Sequence, residues 1–106
     1  MKLSIQGNRL YADNYILSHC EVKDGHRDKS FSGTAEPRYS HAVGRELLHV
    51  DGLGWMGAQP SCDVVLGRVV KSDGGVLPCR VTEARLIGLV NYATEQGKRI
   101  TLEIEK

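Results

Sequence analysis

The 106-residue chain carries 14 basic and 13 acidic side chains, a formal charge of +1, so no global field draws it to nucleic acid or to an anionic membrane. With 41% hydrophobic and 25% charged residues it sits in the ordinary range of globular domains, far from the composition of disordered chains. A domain of this size buries roughly 65% of the surface its unfolded chain exposes, enough for a core without disulfide or metal staples.

In chain order, Leu3 and Ile5 alternate with Ser4 and Gln6, and Gly7-Asn8 leads into Arg9-Leu10-Tyr11-Ala12, the pattern of a hairpin with one buried face. Residues 15–22 read as a further strand, ended by Asp24-Gly25. From 24 to 40 the chain turns polar and loses its period, which marks a long working loop. Residues 45–50 read as a strand running into the turn pair Asp51-Gly52. Val64-Val65-Leu66 and Val69-Val70 have the near-continuous β-branched character of a covered central strand, with Gly67 as a bulge candidate. After Asp73-Gly74-Gly75 the run 76–81 returns antiparallel, and Pro78, which cannot donate to a ladder, confines it to an edge.

Residues 82–96 have helical spacing. Thr82 is the expected N-cap, Leu86, Ile87, Val90 and Ala93 form the apolar stripe, and Gly97 is the stop. Residues 100–105 alternate as a strand with one wet face. The expected fold is therefore a single α+β domain over residues 1–106, a mostly antiparallel, hairpin-rich sheet of about six strands packed by one principal C-terminal helix at 82–96. In such an open sheet the strand at Leu3 and Ile5 is the least guarded edge, which predicts a homodimer through that strand.

No run approaches the roughly eighteen apolar residues of a membrane span, and the alternating start leaves no room for a signal-peptide core, so a cytoplasmic location is expected. Three cysteines, Cys20, Cys62 and Cys79, cannot all pair within one chain and are expected to be reduced.

Gly52-Leu53-Gly54-Trp55-Met56-Gly57 matches the G-x-G-x-x-G fingerprint letter by letter, but the residues that follow lead into a strand rather than a helix, so no dinucleotide cofactor is expected. The histidines and cysteines lack the short spacings that place two metal ligands on one turn, and no metal is expected. A small cysteine-dependent enzyme is a third reading, since the cysteines could be drawn with His26, His41 or His49, although no local pattern selects a pairing. Between residues 23 and 45, Lys23, Arg27, Lys29, Arg38 and Arg45 are interleaved with Phe31 and Tyr39, a mixture that holds phosphate and stacks on bases, so nucleic acid is one possible partner. Arginine, tyrosine and tryptophan are also the anchor types of protein interfaces. The sequence thus points to a non-enzymatic binding protein that docks on a larger protein, as an accessory subunit or inhibitor, through Arg27, Lys29, Phe31, Arg38, Tyr39, Arg45 and Trp55.

Overall fold

The computed structural model describes residues 1–23, 30–70, 72 and 75–105. Among the described residues, nine strands and one helix follow in the order β1 (Lys2–Gln6), β2 (Arg9–Ala12), β3 (Tyr15–Val22), β4 (Phe31–Ser40), β5 (Arg45–Val50), β6 (Gly54–Gly57), β7 (Val64–Val70), β8 (Val76–Pro78), α1 (Arg80–Glu95) and β9 (Ile100–Glu105).

The strands do not form the expected open, mostly antiparallel sheet. They run β3-β2-β1-β9-β4-β5-β6-β7, and β7 pairs back onto β3, which closes an eight-stranded barrel, with β8 pairing antiparallel along the later part of β7. Two joints are parallel, β1 with β9 and β6 with β7, so the sheet is mixed. Tight turn signals specify antiparallel hairpins, whereas β1 and β9 stand at opposite ends of the chain order and β6 and β7 are joined by the six-residue stretch 58–63. The parallel joints are made between strands whose proximity no local residue announces. Closure also removes the edge expected at Leu3 and Ile5, because β1 is hydrogen-bonded to β2 on one side and β9 on the other.

A second correction concerns the polar stretch. Residues 31–40 form β4, the longest strand, paired with β9 through its first half and β5 through its second. Its inward positions include Gly33 and Ala35, too small to carry an apolar signal, while Ser32, Thr34, Glu36 and Arg38 face out. Residues 45–50, read as a strand, form β5.

Alternation around the ring fills the interior. Leu3, Ile5, Leu10, Cys20, Val22, Ala35, Leu48, Val50, Met56, Val64, Leu66, Ile100, Leu102 and Ile104 belong to one buried cluster, as expected of an eight-stranded barrel just wide enough for side chains. Phe31 packs against this cluster with its ring on Gly33 and Gly52, at the mouth where β4 begins. The opposite mouth is covered by α1, which touches β3, β4, β5, β7 and β9 and contributes Leu86, Val90 and Ala93 to the same core. The helix begins earlier than its sequence suggests: Cys79 is the N-cap, and Thr82 is buried within the first turn. It ends in a Schellman arrangement, with Lys98 N–H bonded to Ala93 C=O and Gly97 N–H to Thr94 C=O, and Gly97 takes the required φ of +77°.

Candidate functional site

The residues singled out from sequence are dispersed over the barrel. Phe31 is turned inward at one mouth. Arg38 is paired with Glu36 on the outer wall of β4. Tyr39 is exposed and meets His41 edge to face at 5.1 Å. Trp55 lies on the outer wall beside its cross-strand partner His49, ring centroids 4.9 Å apart at 75°. Arg45 is drawn to the helix. Arg27 and Lys29 lie outside the described residues.

Arg45 ends at the most elaborate polar contact of the described residues. Its guanidinium donates from Nε to Glu83 Oε2 at 2.7 Å and from Nη2 to Oε1 at 2.9 Å, while Ala58 N–H donates to the same Oε1 at 2.8 Å. Arg80 Nε stands 3.6 Å from Oε2. Burial pushes the Glu83 carboxyl up, but the Arg45 fork, the Ala58 amide and the charges of both arginines outweigh it and hold the group below the usual carboxylate range. Both carboxylate oxygens accept hydrogen bonds, so this contact fastens the first turn of α1 to β5 and to the loop after β6.

The cysteines are equally specific. Burial pushes Cys20 up to about 12 and Cys62 up to about 11, the latter with help from Glu83 and Asp63. Cys79, at the head of α1, is held below the ordinary thiol value by the Thr82 hydroxyl and by the backbone N–H groups of Thr82 and Val81, with Arg68 contributing its charge. No group of three or more potential metal ligands occurs among the described residues.

What the structure assembles and the sequence did not announce is a groove between β3 and α1. It is lined by Ile16, Leu17, Ser18 and His19 from β3, Gly67 and Arg68 from β7, and Thr82 and Arg85 from α1, and encloses about 350 Å³. A β-bulge builds its apolar wall. Leu10 pairs with Ser18 but Tyr11 with Ile16, so Leu17 is one residue extra on β3 and Ile16 is turned to the outer face instead of the core. Gly67 allows β8 to lie close: a Cβ there would overlap the Leu77 carbonyl oxygen.

The groove continues onto an apolar surface. Val81, Arg85, Leu89 and Tyr92 follow at i, i+4, i+8 and i+11, one stripe along the solvent flank of α1 beside its buried stripe. Val81 is 59%, Leu89 42% and Tyr92 63% exposed, and Tyr15 and Ile16 at the start of β3 are 80% and 54% exposed. The helix stripe was legible in principle: Val81, Leu89 and Tyr92 are apolar residues left over once Leu86, Ile87, Val90 and Ala93 have been assigned to the core. The bulge at Leu17 had no sequence signal.

No family model, no curated protein and no solved structure matches the chain. No helix among the described residues is long and apolar enough to cross a membrane.

Proposed function

We propose that this chain is a non-enzymatic binding protein that docks on a larger protein, as an accessory subunit or inhibitor, and that the docking face is the solvent flank of α1 with the start of β3. The observation that carries this reading is the stripe Val81, Leu89 and Tyr92, exposed on the flank of a helix whose adjacent stripe already caps the barrel. A large apolar side chain gains nothing from water. Tyr15 and Ile16 are exposed at the start of β3, and Ile16 lines the groove together with Arg85 of the stripe; large exposed apolar side chains of this kind mark interaction surfaces. The barrel interior is occupied by its own side chains, and Arg45 and Glu83 satisfy each other, which supports a scaffold that binds rather than one that turns over substrate. Three free thiols support residence in a reducing compartment, and we place the protein in the cytoplasm.

Affinity capture from the native host, compared between the native chain and the doubly substituted Leu89→Asp, Tyr92→Ser chain, tests the assignment. Both positions are solvent-facing, so the substitutions leave the fold intact by circular dichroism. A partner retained by the native chain and lost by the double variant is the expected result. A partner retained equally by both, but lost on Trp55→Ala or Arg38→Ala, moves the docking face to the outer wall of β4, β5 and β6.

A further inference from the structure

Resting on that docking reading, we infer that the β3–α1 groove is the specificity pocket of the face and receives a carboxylate side chain of the partner, so that the docking segment is an acidic peptide with flanking apolar residues. The first ground is unbalanced charge. Arg68 and Arg85 make no ion pair among the described residues, as is also true of Arg9, Lys23, Lys98 and Arg99, but these two alone converge on the groove lining. His19, Ser18 and Thr82 add further polar groups to the same lining, and it contains no acidic residue.

The second ground is shape. A space of about 350 Å³ is at the small end of ligand sites, right for one or two side chains rather than a cofactor. Two guanidiniums on separate elements, β7 and α1, offer planar donor forks that match a carboxylate.

The third ground is the surrounding surface. Ile16 forms a wall of the groove, and Val81, Leu89 and Tyr92 run on from Arg85, so an acidic side chain in the pocket places its apolar neighbours on the exposed stripe. Membrane binding is the weaker fit. Lipid surfaces are held by clusters of four to eight lysines and arginines, and this face offers three arginines, Arg68, Arg80 and Arg85, and no lysine.

The experiment is a titration of the isotope-labelled full chain, read by backbone amide shifts, with short synthetic peptides. One probe alternates Glu and Asp with Leu and Phe; its control replaces each acid by Gln or Asn. The acidic probe is expected to move the amides of Ile16, His19, Gly67 and Arg85. Its affinity should fall as salt rises, and should drop about tenfold on Arg85→Gln or Arg68→Gln, both exposed positions, with folding of each variant checked by circular dichroism. Equal binding of the neutral control at these amides overturns the carboxylate pocket and leaves the docking face standing, as does binding only when phosphoserine replaces the acids. Shifts at these amides on dilution of the protein alone, or with phosphatidylserine vesicles and no peptide, overturn both, because the occupant is then a second copy or a lipid surface.

Discussion

Arg45 and Glu83 lie 38 positions apart in sequence and meet as a two-pronged ion pair, 2.7 and 2.9 Å, that ties the barrel wall to the first turn of the helix capping its mouth. Because the folded carboxyl is held below its usual value, its contribution to stability is complete above the unfolded value of about 4.3 and is lost as pH falls through the lower folded value. Glu83→Gln keeps the shape and one acceptor for Ala58 but leaves Arg45 without its counter-charge, and should cost about 2–3 kcal/mol at neutral pH. Urea melts of both chains between pH 7 and pH 3 check this: the gap should narrow as pH drops, and a constant gap would show that the charge is not what holds the helix.

Leu86 is fully buried in the core that α1 shares with the barrel. Leu86→Ala should destabilise by roughly 2–5 kcal/mol, the lost transfer energy plus the cavity left under a helix that cannot collapse into a closed ring of strands. Leu89→Ala, on the exposed stripe, should change stability by less than about 0.5 kcal/mol. The contrast between neighbouring leucines, measured by denaturant midpoint, tests which side of α1 is buried.

Gly54 holds φ at +124°, and a Cβ there would overlap Asp63 Oδ2, the atom that accepts the Trp55 N–H at 3.0 Å. Gly54→Ala must therefore strain the backbone and displace the carboxylate, at a cost of roughly 2–4 kcal/mol. Trp55 is the single tryptophan, so its fluorescence reports the local change directly. An unchanged emission spectrum and melting temperature would contradict the described packing.

Among the thiols, Cys79 alone is expected to react with iodoacetamide in the folded protein, since Cys20 and Cys62 are buried and pushed up. The Thr82 hydroxyl, first among the groups that hold Cys79 down, defines the control. Thr82→Val should move the pH midpoint of alkylation upward toward that of an unfolded thiol, and mass spectrometry of the labelled peptides identifies the site. Labelling of Cys20 before Cys79 would mean that the barrel opens.

Local chemistry wrote much of the element list. The hairpin at Gly7, the turn at Gly52, the helix around Leu86 and Val90 and its stop at Gly97 all follow from glycine conformations and from periods of two and 3.6 residues. β4 was hidden because Gly33 and Ala35 face the core with almost no apolar surface. The closed ring was beyond local reading altogether: β1 joins β9 and β3 joins β7 by backbone hydrogen bonds, which every residue type except proline can donate, so no side chain records them in advance. The candidate groove has the same origin. Ile16, Arg68 and Arg85 are unremarkable in sequence, and they share one surface only because a single extra residue on β3 turns Ile16 outward and closure of the barrel brings β7 alongside it.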